Sequence, residues 1–515
     1  MANSPQALEK TISEEVDESA PRALEQSLHL LRAFDAAGVR YCHYKSNQHL
    51  LPALAGLTDL DILLDARHSR EAQVVLGAAG YKRFDAKLAA SYPAVEDYLG
   101  FDSQSGKLIH IHLYHRLLVG PPHLKSYQLQ YQDGILDGRI RDDATGVYTT
   151  DPTQEMQLLL LRFTLKARWR DWLRERLGRP FFRGGALAEY RWLQERLDPN
   201  LLRRITEEQL GSRAGEMVES LTQQPPSTWA LRGFKKRISS TLKRWSSYGA
   251  LEALPTRLAR EAQWLLSGLN RRHLRLSWSF RRANPTGGCI IAVLGPDGSG
   301  KSTIVQTLDK WLSWKLDVYP VYFGSGDGSA SLVRLPLKFA KDLLSGQRRP
   351  KDGAPAVSGA LGLQRRVSLV RAAWAIVLAW EKRAKLRRAV RARNRGMIVL
   401  CDRFPQTQVM GYNDGPLLAP WLESRSRFRK WLACWESEQY ERAHACAPDL
   451  AIKLDVSSEV AISRKPEISP AESQRKRDAL RKIHYGTTCQ EIVIDSTQPL
   501  ESVLLQVKTA VWKQL

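Results

Sequence analysis

One stretch of the chain limits its possible folds more than any other. The segment Gly295-Pro-Asp-Gly-Ser-Gly-Lys-Ser-Thr303 follows the apolar run Cys289–Leu294, and Ile304–Leu312 behind it has helical character. Strand, glycine-rich loop and helix in that order match G-x-x-x-x-G-K-[ST], with Gly295, Gly300, Lys301 and Ser302 at the defining positions. Glycines let the backbone turn so that successive N–H groups face phosphate oxygens, and the helix start adds its positive end. Lys301 has the reach for the β- and γ-phosphates, and Ser302 offers an oxygen to Mg²⁺. Gly295, Asp297, Gly298, Ser299, Gly300, Lys301, Ser302 and Thr303 are therefore the expected ATP contacts. The competing explanation, a chance glycine-rich turn, does not account for the flanking strand and helix. The expected fold is α/β, a P-loop NTPase-type parallel sheet flanked by helices.

A second motif lies about a hundred residues on. Met397–Cys401 is another apolar run of strand length, and it ends in Asp402-Arg403-Phe404. A carboxylate at the end of a neighbouring parallel strand is where a P-loop enzyme holds its Mg²⁺ or metal-bound water. Arg403 can grip a phosphate bidentately. A strand-end salt bridge is the plainer alternative. A third cluster, Arg464, Lys465, Arg475, Lys476 and Arg477, follows the strand expected over Leu450–Leu454. Such a segment can close over a triphosphate and neutralise developing charge, although a solvated helix face would have the same composition.

Taken together, residues 289–515 resemble the thymidylate kinase family of P-loop nucleoside-monophosphate kinases. The resemblance rests on GPDGSGKST (295–303), DRF (402–404), PDLAIKLDV (448–456) followed by Arg464-Lys465, and Ile494-Asp495 with QPLESVL (498–504). It implies that Asp297 faces the acceptor and that Lys301 and Ser302 serve ATP and Mg²⁺. Asp402 and Arg403 would act on the acceptor side, with 464–477 as a lid. Where the family carries an Arg-Glu-Pro-Gly-Gly run, this chain has Tyr322-Phe-Gly-Ser-Gly-Asp-Gly328, and PQTQVMGYNDGP follows Phe404. The acceptor is therefore left open.

The N-terminal part resembles the nucleotidyltransferase fold. Lys45-Ser46, twelve residues and then Asp59-Leu60-Asp61 follow that family's pattern, with Lys45 in place of the usual glycine. Alternate carboxylates on one strand point to the same side and can hold Mg²⁺ at a triphosphate, which makes Asp59 and Asp61 expected metal ligands. The later strand Leu108–Leu113 offers His110 and His112 where the family has a third carboxylate. They read either as ligands or as the mark of a site that binds without catalysis.

Composition sets the remaining bounds. The chain has 515 residues and a formal net charge of +23, shared unevenly: residues 1–150 hold 15 Lys/Arg against 19 Asp/Glu. The remainder is strongly basic, with 13 Lys/Arg in 231–284 and eight from Lys382 to Arg395. Those segments suit an anionic partner, membrane or nucleic acid, or simply a solvated basic face. The six cysteines form no CxxC pair, so a reduced chain is expected. The longest apolar stretch, near Val367–Trp380, is broken by Arg371, and Glu14, Glu15, Asp17 and Glu18 occupy the place of a signal peptide. The expected location is cytoplasmic, or peripheral at the inner membrane face.

The expected organisation is a disordered leader (1–20), an α+β nucleotidyltransferase-like domain (21–150), a helical region and basic linker (151–284), and a thymidylate kinase-like P-loop domain (285–515). The first functional expectation is an ATP- and Mg²⁺-dependent kinase acting on a nucleotide or another small phosphorylated or hydroxyl acceptor. Arg464 and Lys465 join Lys301, Asp402 and Arg403 as its expected catalytic residues. A bifunctional nucleotidyltransferase–kinase in cell-surface carbohydrate modification is the second. An ATP-switched module that binds nucleic acid or membrane is the third.

Overall fold

The computed structural model describes residues 21–324, 369–410 and 415–515. The acidic leader 1–20, the stretch 325–368 and residues 411–414 of the run after Phe404 lie outside the described residues. The described residues fall into two compact units. The first comprises Met1–Lys82, Tyr92–Asp102 and Lys107–Arg257; the second comprises Arg83–Ser91, Ser103–Gly106 and Leu258–Leu515.

In the first unit Val95–Phe101, Leu108–Tyr114, Leu60–Leu64 and Tyr41–His43 lie side by side in that order, continued by Tyr148–Thr149 and Ile140–Arg141. Leu108–Tyr114 runs antiparallel to Val95–Phe101 and parallel to Leu60–Leu64, so the sheet is mixed. Successive strand side chains point to opposite faces, and both faces are covered. On one, Ile62, Leu64, Ile109 and Ile111 pack with Leu30 and Phe34 of helix Glu25–Ala36 and Leu76 of helix Ser69–Ala78. On the other, Cys42, Tyr44, Leu63 and Tyr114 pack with the helical region. The helix expected over Pro21–Gly38 begins only at Glu25, because Leu24 is still extended at ψ 137°.

The organising element of the helical region is Pro152–Lys166. Asp151 caps it, accepting from the Thr153 amide at 2.8 Å, with proline at the first helical position. Met156, Leu158, Leu159, Leu160, Leu161 and Leu165 are all buried. A helix buried on most sides must be surrounded, and Gly185–Gln194, Pro199–Leu210 and Thr228–Arg244 pack around it.

The second unit is built on five parallel strands, in the order Val318–Tyr322, Ile398–Asp402, Cys289–Leu294, Leu450–Asp455, Gln490–Asp495. Helices flank the sheet, as a parallel sheet requires, and its inner strands are near-continuous apolar runs for the same reason. Lys453 is the exception; it is buried, and its Nζ meets Glu491 at 2.7 Å. Helix Leu369–Asn394 carries the basic segment 382–395, yet Leu386, Ala389 and Ala392 lie in the core. Lys382 is buried against Tyr440, and Lys385 donates to the Tyr322 carbonyl at 2.7 Å. Part of that positive charge is thus used inside the unit. Among the described residues, no helix is long and apolar enough to cross a membrane.

Phe404 is fully buried between Phe323 and Tyr485, with ring centroids 5.4 and 5.5 Å away, and Tyr485 donates to its carbonyl. We expect Phe404→Ala to cost the second unit about 3–5 kcal/mol in urea unfolding. A loss below about 1 kcal/mol would contradict this packing.

Candidate functional site

The central strand Cys289–Leu294 is buried at every residue, and helix Lys301–Ser313 begins directly after the 295–300 loop. From this strand the chain goes to the sheet edge at Val318–Tyr322, returns to Ile398–Asp402, and then crosses to Leu450–Asp455 on the other side. The strand order reverses at that point. In open parallel sheets, ligands sit in the crevice beyond the carboxyl ends of the strands at such a reversal.

The loop depends on three glycines, the third being Gly300 at φ 83°. A Cβ at Gly295 would stand 2.5 Å from Ser299 Oγ and 3.1 Å from the Leu454 carbonyl. Gly298 has φ 80°, and a Cβ there would stand 2.7 Å from the Ala461 carbonyl. Gly300 is the helix cap and brings no side-chain acceptor to the first-turn amides. Uncapped amides at a helix start are an anion site. Lys301 is buried, and its Nζ lies over the loop, donating to the Pro296 carbonyl at 2.6 Å.

Parallel pairing sets Asp402 opposite Val293, one residue short of the strand end. From there its Oδ2 accepts from Ser302 Oγ at 3.1 Å. Two oxygens so placed fit neighbouring positions on Mg²⁺, whose bonds are about 2.0–2.1 Å. Arg403 follows at φ 68°, a left-handed conformation that costs a non-glycine residue on the order of 1–2 kcal/mol. Its amide donates to the Val293 carbonyl at 3.0 Å, and Nη2 meets Asp297 Oδ1 at 3.3 Å. The other oxygen of Asp297 meets Lys476 Nζ at 2.6 Å. Burial alone would raise the Asp297 carboxyl, but Lys476, Lys301 and Arg403 outweigh it and hold the group below the ordinary carboxylate value.

From the 464–477 cluster, Arg464 donates to the Gly298 carbonyl at 3.4 Å. Lys465 beside it is exposed, and Lys476 reaches the loop instead. Arg477 is engaged with Asp455, at 2.8 Å through Nη2. Phe404 of the Asp-Arg-Phe motif anchors the core rather than facing the crevice.

The first unit holds a second polar centre. Asp59 immediately precedes Leu60–Leu64, and Asp61 lies within it, opposite His112. Asp97, on the next strand over, also pairs opposite His112. His110 places Nδ1 2.8 Å from Asp59 and Nε2 2.9 Å from Asp97. His112 places Nδ1 3.2 Å from Asp61 and Nε2 3.2 Å from Asp97. Asp97 is absent from the residues expected from sequence. Burial would lower His112, but its bonds to Asp61 and Asp97 prevail and raise it above the usual imidazole value.

Lys45, standing where the pattern has glycine, puts its ammonium 2.9 Å from Asp61 Oδ1. Ser46 beside it has φ 57°, and its Oγ donates to Glu189 at 3.1 Å. Asn47 gives both its amide and its side chain to Glu155, which burial pushes up to about 7. Lys125 donates to Tyr114 Oη at 2.8 Å and is pushed down to about 7 by burial and by Lys45. Lys166 is pushed down to about 8 by burial, then by Arg162 and Lys45. Lys45, Lys125, Arg162 and Lys166 all sense the charge of Asp61, so a cationic set adjoins the carboxylates.

No protein-family model matches the chain. Over 231 residues it is 33% identical to the uncharacterized ATP-binding protein YghR of Escherichia coli strain K12, covering 43% of this chain and 86% of that protein. The YghR of E. coli O6:H1 aligns to the same extent. The uncharacterized ATP-binding protein YghS of E. coli K12 is 25% identical over 227 residues, covering 43% of this chain and 91% of that protein.

Lys125 allows a test of the first unit. Its folded value is about 7 against 10.5 ordinarily. Below about pH 7 both folded and unfolded chains carry the proton, and the folded chain bears the full cost of the buried charge. As pH rises toward the ordinary value, only the unfolded chain keeps the proton and the cost fades. Lys125→Met should therefore raise the thermal midpoint at about pH 6 by a few degrees, with little gain at about pH 10. A midpoint lowered equally at both would contradict the burial of a charged group.

Proposed function

The chain belongs to the family of YghR, and from that membership we propose that it is an ATP-dependent phosphotransferase of the thymidylate kinase-like type. The relatives are named for ATP binding, and the glycine-rich 295–303 loop before a helix start supports reading it as the place for that ligand. The single observation that carries the reading is the contact of Ser302 with Asp402 beneath an uncapped helix start. Ser302 and Asp402 would hold Mg²⁺, which would supply positive charge against the phosphates.

The other residues act by position and charge. Loop amides and Lys301 hold the β- and γ-phosphates. Lys301 must exchange the Pro296 carbonyl for phosphate oxygen, which strengthens its bond because the new acceptor is charged. Arg403 and Asp297 would serve the acceptor; Lys476 shares Asp297 with Arg403, and Arg464 bonds the Gly298 carbonyl of the same loop. An acceptor oxygen bonds to the γ-phosphorus as the bond to ADP breaks, and a hydroxyl acceptor releases its proton to solvent. The developing charge falls among these cations. The acceptor is a small phosphorylated or hydroxyl compound.

Transfer from γ-labelled ATP across nucleoside monophosphates and phosphorylated sugars tests this reading. We expect one acceptor class to be labelled. Lys301→Ala and Asp402→Asn should each cut the rate by at least about a hundredfold with the circular dichroism unchanged. An unlabelled set of acceptors together with no bound nucleotide would refute it.

One further surface favours a second, compatible activity. Trp264, Leu265, Leu266, Leu269, Leu274 and Trp278 are all exposed, with Arg271, Arg272 and Arg275 between them. Interleaved apolar and basic side chains suit the headgroup boundary of an anionic bilayer. Sedimentation with phosphatidylserine vesicles should carry the chain down, less so as salt rises or with Leu265→Asp. Equal binding to neutral vesicles, or binding to nucleic acid alone, would contradict it.

A further inference from the structure

The Asp–His cluster of the first unit can be read for what it would hold, independently of the 295–303 loop. One donor atom each from Asp59, His110 and His112 lie within 4.8 Å of one another. His110 Nδ1 is 2.8 Å and His112 Nδ1 3.9 Å from Asp59 oxygens, and His112 Nδ1 is 3.2 Å from Asp61. Neighbouring ligands of a metal with bonds of about 2.0–2.2 Å stand roughly 3.0–3.5 Å apart. We propose that Asp59, His110 and His112, with Asp61 beside them, form a binding site for a divalent first-row transition metal.

The ligand types select the ion class. Two imidazoles with carboxylates suit zinc, iron or cobalt, whereas Mg²⁺ prefers an all-oxygen set. The arrangement behind the ligands agrees. Asp97 is buried, and one of its oxygens faces Nε2 of both histidines. An Nε2–H on each ring, both donated to that oxygen, leaves both Nδ1 lone pairs turned to the Asp59–Asp61 side. A carboxylate behind each ligating histidine is the usual support of a metal site. In the metal-free chain, each Nδ1···oxygen contact needs a proton between two acceptors, and a divalent ion would take its place.

The cluster is supported on one side and open on the other. His110 and Asp97 side chains are 0% and 3% exposed, while His112 and Asp59 are 20% and 28% exposed. An ion held there keeps positions free for an outside ligand, as catalytic sites do and closed structural sites do not. Lys45 already places a cation on Asp61 and so opposes the metal.

The test uses the full chain, stripped with chelator and titrated with Zn²⁺, Co²⁺ and Mg²⁺. One equivalent of Zn²⁺ should bind at least about a hundredfold more tightly than Mg²⁺. Co²⁺ should give the visible bands of a nitrogen–oxygen site. His112→Ala, at a partly exposed position, should weaken Zn²⁺ by about tenfold or more and change those bands. Asp59→Asn should act likewise, Lys45→Met should tighten binding, and Glu71→Gln on the exposed side of helix Ser69–Ala78 should change nothing. The proposal falls if the folded chain binds no equivalent of Zn²⁺ or Co²⁺, or if both His112→Ala and Asp59→Asn leave binding unchanged. It falls equally if Mg²⁺ binds as tightly, or if thiolate charge-transfer bands put the cobalt on a cysteine.

Discussion

The candidate site of the second unit depends on the parallel pairing of Ile398–Asp402 with Cys289–Leu294. That register puts Asp402 beside the strand end, within 3.1 Å of Ser302 on the next helix. Side chains alternate along a strand, so a slip of one residue would turn Asp402 to the opposite face and bring Cys401 into its place. Burial of both strands makes the slip costly, because the apolar sets would have to exchange faces. The left-handed turn at Arg403 follows from the same geometry. The chain must leave the sheet sharply there, and its amide is tied to Val293 as it does so. Strain at that one residue aims a guanidinium at the loop, and Asp297 keeps it in place.

How much of this was legible in sequence depended on whether the signal was local. Cys289–Leu294, Ile398–Asp402 and Leu450–Asp455 are apolar runs because both faces of a parallel sheet are covered, and such runs can be read directly. The loop is legible because glycine spacing is chemistry. Choosing Lys465 over Lys476 as Arg464's companion is where local reading stops. The choice depends on how helix Pro470–Arg481 lies over the loop, which no spacing encodes. Lys382 and Lys385 make the same point: in a list of charges they look like surface, yet their helix turns them inward.

In the first unit, Asp59 and Asp61 were legible from their alternation, but Asp97 was not. Asp97 belongs to a strand whose antiparallel register is set by partners far along the chain, and only that register brings it opposite His112. The helix Pro152–Lys166 shows a similar limit. Its periodicity was readable, but burial on nearly every side, including Glu155, was not. Glu155, Lys125 and Lys166 are poor choices for stability alone. Glu155 is fully buried and Lys125 partly so, and such groups persist where a site needs them. The two units thus offer two distinct polar centres in one chain, one built from backbone amides and one from imidazoles and carboxylates.

The central claim is that the nucleotide lies in the 295–303 loop and not in the first unit's polar centre. Hydrogen–deuterium exchange of the full chain with and without MgATP tests it most directly. The account requires slowed exchange in 295–303 and in the first turn of helix Lys301–Ser313, with Asp402–Phe404 following. Protection confined to the residues around Asp59, Asp61 and His112, with the loop exchanging as before, would contradict it.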